Sequence, residues 1–370
     1  MSYALQTLWH ERARFFPGVL AVAFSALLIA LQCGLLLGLF SITSIPIDES
    51  GAHLWVGYPD VSSVDLGRPI PEAWQSYLAM PEVVAVEPYM QGFGYWDKPT
   101  GGMELCLVIG TRLGPEAFGP ITQLTPEHRA LLALPGSVVI DEGEFARLGI
   151  TKIGDTTEVV GKRVRVVGTV RGLRSLAGPY VFCSLDTAKS MLRPAPDQAT
   201  FLLAKCRTPE DAPIVVQRLA KYAGKLSAMT AADFSLNSRW HWLTKTKAGV
   251  ALGLAAILGL MVGAVVTYQT LRSATVASLK EYAVLRALGI PRGRMMLMVL
   301  AQSFWVGLAG ILLSVPLIHL LAWVGNIGAK VILPWWLWVG ATSITMIVAL
   351  LSGVLAVRTL RSVEPVALLR

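Results

Sequence analysis

Five histidines, four cysteines and one dense run of carboxylates are the groups with chemistry to offer in this chain. His10, His53, His128, His241 and His319 lie far apart, and no His-Glu-x-x-His, Cys-x-x-Cys or Gly-x-Ser-x-Gly occurs. Nothing in the spacing therefore favours a metal site or a nucleophile with its base. Asp141-Glu142-Gly143-Glu144 stands before Phe145-Ala146-Arg147-Leu148, which reads as a short helix. Acids at a helix start complement its dipole, and that role is preferred to a cation site. Cys33 falls in an apolar run, whereas Cys106, Cys183 and Cys206 share the long polar segment. Three thiols cannot all pair within one chain, so one disulfide and three free thiols both stay open, with free thiols favoured. No Gly-x-x-x-x-Gly-Lys-Ser/Thr is present, so the chain has no phosphate-cradling loop of its own. The expectation is a protein with no catalytic residue, no metal and no cofactor of its own.

The elements that carry these residues follow from composition. Of 370 residues 54% are hydrophobic and 15% charged, too apolar on average for a soluble protein. Charge-free runs at Phe15–Ile47, Ala248–Leu271, Met295–Ala329 and Val331–Val357 each meet the roughly 20 residues needed to cross about 30 Å of hydrocarbon. The reading is a membrane α-helical protein with four transmembrane helices and an α+β extracytoplasmic domain between the first and second. The net charge of +8 suggests nucleic acid until it is partitioned. Met1–Arg14, Arg272–Arg294 and Arg358–Arg370 are basic, while Pro46–Thr246 holds 20 basic and 21 acidic residues. Basic segments beside spans mark the cytoplasmic side. Both termini and the central turn are therefore expected inside, the large domain outside in the periplasm or medium, and no nucleic acid is implied.

The expected order is a cytoplasmic interfacial helix over 1–16, ended by Pro17-Gly18, then a first span over 17–45. A cleaved signal peptide competes with this, but the apolar run is longer than such segments carry. The outer domain is expected over 46–239. It opens with a strand near Ala52–Gly57, a helix near Pro71–Met80 and a strand at Val83–Pro88. It closes in the same order at Thr200–Lys205, Pro209–Ala223 and Leu226–Thr230. Between them a β-rich insert is expected over about 103–185. Gly and Pro are absent from Ala231 until Gly249, and Trp240 and Trp242 sit where an interfacial belt would be. The pattern predicts one unbroken helix through a stalk and second span over 240–271, a rod from the outer domain to the turn at 272–294. A third span (295–324), an outer loop (325–336), a fourth span (337–357) and a cytoplasmic tail (358–370) complete the order.

Two places remain for binding. Gln32, Gln302 and His319 are polar side chains inside spans, where such groups contact a neighbouring helix, a second subunit or a substrate. The helix-contact reading is favoured by frequency. The turn is the stronger signal. Val276, Leu279, Tyr282, Val284, Leu285 and Leu288 fall on nearly every side of a helical wheel, and lipid covers at most one. A protein partner is expected on another, with Lys280, Glu281, Tyr282, Leu285, Arg286, Leu288 and Gly289 as its dock. Gly289 and Pro291 end that helix.

Glu281 to Gly289, followed by Arg292 and Arg294, resembles the cytoplasmic turn of permeases of the MacB/FtsX/LolC type, the mechanotransmission class of ABC transporters. The ending Val363-Glu364-Pro365-Val366-Ala367-Leu368-Leu369-Arg370 resembles their C-terminal signature. Val138–Ile140 through Leu148-Gly149, Ile153–Asp155 and Val164–Gly168 are similar to their periplasmic core. Gln32-Cys33-Gly34 and Glu11–Arg14 look closest to the DevC-like branch, while Gln302 stands where many members have Glu. The resemblance implies a homodimer in a bacterial inner membrane. Two copies of a separate ATPase that hold the ATP and Mg would bind it, with a membrane-fusion adaptor as a further partner. It implies export or extraction of a hydrophobic, lipid-like or peptide substrate. The alternative is an FtsX-type signalling protein that activates an extracytoplasmic enzyme without transport.

Overall fold

The computed structural model describes residues 12–277, 284, 288, 291–325 and 331–361. They divide into two units. Phe40–Thr246 is one, and the residues up to Leu39 together with those from Lys247 form the other.

The first unit is the outer domain, built on eleven strands. In chain order these are β1 (Leu54–Gly57), β2 (Ile70–Pro71), β3 (Val83–Asp97), β4 (Met103–Thr111), β5 (Ser137–Asp141) and β6 (Thr156–Val159). They continue with β7 (Lys162–Val170), β8 (Tyr180–Ser184), β9 (Gln198–Ala199), β10 (Phe201–Cys206) and β11 (Ser227–Thr230). Nine form one sheet in the order β11-β1-β10-β3-β4-β8-β5-β7-β6, and β2 pairs with β9 apart from it. The two terminal strand–helix–strand units thus interleave, since β1 runs antiparallel between β10 and β11.

Strands β1 and β10 read as continuous apolar runs because both faces are covered, which is why their residues do not alternate with polar ones. Leu54, Val56, Leu202 and Ala204 enter one core with Ala212, Val215 and Leu219 of the Ala212–Leu219 helix. Trp55, Phe201 and Leu203 enter the opposite core, with Tyr89 and Phe234. There the Trp55 ring lies 5.0 Å from Tyr89 and 5.4 Å from Phe201, edge-on, and 5.7 Å from Phe234. Edge-on pairs of this kind are worth about 1 kcal/mol each beyond their buried area.

The β-rich middle is not a separate insert beginning at Met103. Strand β3 is fifteen residues long and serves both parts. Val83–Tyr89 pairs with β10, and Met90–Asp97 pairs with β4. Its end also pairs with β6, through Trp96 and Asp97 opposite Val159 and Glu158. Strands β3, β4, β8, β5, β7 and β6 therefore close a ring. Trp96, Cys106, Val108, Val138, Ile140, Val166 and Val181 fill it, and Trp96 Nε1 donates to the Leu148 carbonyl at 3.1 Å. Gly110 lies under the Leu185–Leu192 helix, where a Cβ would stand 2.2 Å from that of Ala188. The helix expected near Pro71–Met80 is a 3₁₀ stretch over Glu72–Leu78.

The second unit contains four helices long and apolar enough to cross a membrane, over Phe15–Ile42, Lys247–Thr270, Met296–Ala322 and Trp335–Val354. The first belongs to a continuous helix, Arg12–Ile42, that runs through Pro17. The break expected at Pro17-Gly18 is absent, because a membrane helix tolerates the single backbone bond that Pro removes. The third, Arg292–Gly325, likewise contains Pro316. Small residues set the helix approaches. At Gly310 an added Cβ would stand only 2.6 Å from Val22 Cβ, and Gly263 receives the Ser25 hydroxyl on its carbonyl at 2.6 Å. Ser25 Oγ also lies 2.8 Å from Thr267 Oγ1, so the first and second helices share a buried polar bridge.

Candidate functional site: the clamp on the last helix of the outer domain

The helix Ala231–Lys245 begins with a cap. Thr230 Oγ1 accepts from the Asp233 amide at 3.1 Å and donates to the Asp233 carboxylate at 2.7 Å. Ser235, Ser238, Arg239 and Trp242 then recur at the spacing of one helix face. In sequence they look like a solvated stripe. In the structure each is bonded to another part of the outer domain.

Two anchor points receive them. The first is the segment where the chain enters the domain. Asp48 accepts from Arg239 Nη2 at 2.7 Å, from Ser235 Oγ at 2.6 Å and from Ser44 Oγ at 2.6 Å, and Arg239 Nε donates to Ser44 Oγ at 2.9 Å. The second is the stretch 62–65. The Val64 amide donates to Ser238 Oγ at 3.1 Å, Ser62 Oγ lies 2.9 Å from His241 Nδ1, and Trp242 Nε1 donates to Asp65 Oδ2 at 3.0 Å. Asp65 Oδ1 accepts from Gln91 Nε2 of β3 at 3.3 Å. Asp65 is 7% exposed, and burial pushes its carboxyl up to about 6 against the opposing pull of those two donors. His241 moves down, by desolvation and then by the nearby Lys245 charge.

The helix ends at Lys245, and Thr246 is extended, with φ −98° and ψ 145°. The next helix starts at Lys247. The unbroken rod expected from Ala231 onward is therefore two helices joined at Thr246. At this end Thr244 and Thr246 turn their hydroxyls back onto the carbonyls of Trp240 and Trp242. Trp242 is not a free belt residue, since its indole is committed to Asp65. Trp240 packs edge-on against Phe40 at 6.3 Å and is half exposed.

Of the dock expected from sequence, Lys280, Glu281, Tyr282, Leu285, Arg286 and Gly289 lie outside the described residues. Leu288 is described and is 74% exposed, with its amide bonded to the Val284 carbonyl at 3.0 Å. Gln32 faces Gly259 of the second span, where an added Cβ would stand 3.2 Å from Gln32 Cγ. Gln302 is buried. His319 stacks on Trp338 with centroids 5.1 Å apart, and its Nδ1 lies 2.9 Å from the Val315 carbonyl. Gln302 and His319 share one helix, whose rise sets them roughly 25 Å apart, so they do not form one site.

The other chemistry-bearing groups are absorbed by the fold. Asp141 accepts from the Gly143 and Leu173 amides at 2.8 and 2.7 Å, and Glu142 pairs with Arg171. Glu144 sits between Arg147 and Arg174. Burial raises it above the usual carboxylate range against the pull of those two cations. Cys33, Cys106, Cys183 and Cys206 are free thiols. Burial pushes Cys106 up to about 12, which makes it a poor nucleophile. His53 accepts from the Cys206 amide at 3.2 Å. Among the described residues no group of three or more His, Cys, Asp or Glu could hold a metal ion.

A family model for the MacB-like periplasmic core domain matches residues 19–222, and one for the FtsX-like permease C-terminal region matches residues 253–365. Among solved structures the chain is similar to the periplasmic region of MacB from Actinobacillus actinomycetemcomitans. Identity is 12% over 51% of this chain and 94% of that one, with a TM-score of 0.35. It is also similar to the extracellular domain of the noncanonic ABC-type transporter YknZ from Gram-positive bacteria, at 10% identity over 48% and 99%, with a TM-score of 0.35. No curated protein matches the chain.

Proposed function

Because this chain belongs to the MacB/FtsX-type permeases of ABC transporters, we propose that it couples ATP hydrolysis on a separate ATPase to movement of its outer domain. The clamp carries this reading. Its helix, Ala231–Lys245, is bonded at one end of the chain path to Ser44 and Asp48 and along its length to residues 62–65, and the next apolar helix begins two residues after it. A pull or twist arriving through Thr246 would load both anchor points together. The sheet and ring would then move as one body, a rigid-body mode of transmission.

The turn over 280–289 is the dock for the ATPase in this reading, and the ATP and Mg belong to that partner. The permease works as a homodimer, with both termini cytoplasmic in a bacterial inner membrane. Its substrate is hydrophobic, lipid-like or a peptide, taken from the outer leaflet or the periplasm, with an adaptor as a further partner. The test is co-purification with a co-expressed ATPase. Leu285→Asp together with Arg286→Glu abolishes it if the turn is the dock, and retained ATPase rejects that assignment. Vectorial substrate movement in proteoliposomes distinguishes transport from FtsX-type activation of an outside enzyme, which would proceed without it.

A further inference from the structure

We propose that the contact between residues 62–65 and the last helix of the outer domain is a proton-controlled latch, tightened when the Asp65 carboxyl is protonated and loosened when it is ionised. The geometry is a hinge with one titratable pin. The helix ends at an extended Thr246, and three of its side chains, Ser238, His241 and Trp242, hold the 62–65 stretch. Of these contacts only the one to Asp65 ends on a buried carboxylate.

Burial with no counter-charge favours the neutral acid at Asp65, against two donors that favour the carboxylate. From the helix it meets the Trp242 indole, and from β3 the Gln91 amide. The Tyr89 and Tyr180 phenols of β3 and β8 are close enough to feel its charge. Ser63 Oγ, Tyr89 Oη and Gln91 Oε1 are buried and find no partner among the described residues. The nearby cations are committed elsewhere or lie outside the contact. Arg239 is on Asp48, and Lys245 acts on His241, which itself faces Ser62. No described cation pairs with Asp65, so its ionised form is buried with two neutral donors and nothing to balance its charge.

Protonation therefore favours closure. A carboxyl raised from 3.8 to about 6 in the closed state binds its proton more tightly there than when solvated. Its contribution to closure is fully present below 3.8 and is lost as pH rises through about 6. His241 runs the other way, since its lowered value favours closure above 6.5 and weakens it as pH falls. It is less buried than Asp65, so Asp65 sets the slope. Between about pH 5 and pH 7.5 the two Asp65 values shift the opening equilibrium about tenfold.

The experiment is amide hydrogen exchange on the full chain in lipid nanodiscs, corrected for intrinsic rates, following peptides over 59–66 and 231–245. The wild-type protein is expected to lose protection there about tenfold from pH 5 to pH 7.5, while peptides of β7 change little. Asp65→Asn should be flat, with protection at pH 7.5 as high as the wild type shows at pH 5. Trp242→Phe removes a donor from the ionised form and should move the midpoint to higher pH. His241→Gln should leave the Asp65-dependent change in place. A flat wild-type profile, a tenfold change retained in Asp65→Asn, an unmoved midpoint in Trp242→Phe, or loss of the change in His241→Gln would each overturn the latch. None of these readouts depends on an ATPase, so failure of the latch and failure of the coupling reading are distinguishable.

Discussion

Replacing Asp48 with Ala tests whether the clamp is a set of ordinary surface contacts or a joint. The carboxylate accepts two hydroxyl hydrogen bonds, from Ser44 and Ser235, and one from the Arg239 guanidinium, at 2.6 to 2.7 Å. The Arg239 pair is about one-third exposed on both sides, so it is discounted to about 0.5 kcal/mol. The hydroxyl bonds end on nearly buried serines and are charge-assisted, which makes each worth about 1.5 kcal/mol. The total is about 3.5 kcal/mol, or a fall of roughly 7 to 14 °C in melting temperature for a domain of this size. Thermal unfolding of the full chain in detergent measures it. The sharper readout is a pair of double-mutant cycles, because coupling of Asp48 to Ser235 should exceed its coupling to Arg239, and only the latter should weaken in high salt. A loss below about 1 kcal/mol, or a larger and salt-sensitive coupling to Arg239, would show that the serines contribute nothing and that the joint is a surface ion pair.

Glu87 is buried and accepts from the Gly119 amide at 3.0 Å. Burial raises its carboxyl, against the pull of the Gly119 and Phe118 amides and of Arg112 and Arg129. A raised value means that stability falls as pH climbs past the ordinary 4.5, so Glu87→Gln should melt higher than wild type at pH 8 and show no gain at pH 4. An equal gain at both would refute the burial argument. In the membrane unit Gly310→Ala drives a methyl to within 2.6 Å of Val22 Cβ and 2.9 Å of the Val19 carbonyl, whereas Gly340 has open space around it. The first substitution should cost about 1 to 3 kcal/mol in reversible unfolding from mixed micelles and Gly340→Ala almost nothing, and equal effects would contradict the packing described.

Spans were legible because charge-free apolar runs of about 20 residues or more read as membrane crossings, and the neutral 46–246 segment between them marked a domain. Strands β1, β10 and β11 were legible because apolar runs bounded by turn residues need a sheet to bury them. Closure of the ring was not, because Trp96 opposite Val159 is a contact between distant residues that no local pattern announces. The clamp was missed for a related reason. Ser235, Ser238 and Arg239 fit a solvated helix face equally well, and Arg239 finds Asp48 at a separation of 191 residues. The stop at Thr246 also lacked its usual signals, since no Gly or Pro stands there. Only the paired Thr244 and Thr246 hydroxyls hinted at it, and hydroxyl back-bonding is common enough in helices to be a weak sign.

Strand β3 has a consequence for how this domain could be cut or inherited. At about 3.3 Å per residue its fifteen residues extend roughly 50 Å, and they supply one wall of the ring and one member of the open sheet. A fragment carrying the ring alone would either lack the strand that closes it or trail the Val83–Tyr89 half as bare, sticky edge. The two lobes are therefore a single folding and recombination unit. Shuffling between relatives should succeed at the loops that cap the ring and fail at any crossover that divides β3.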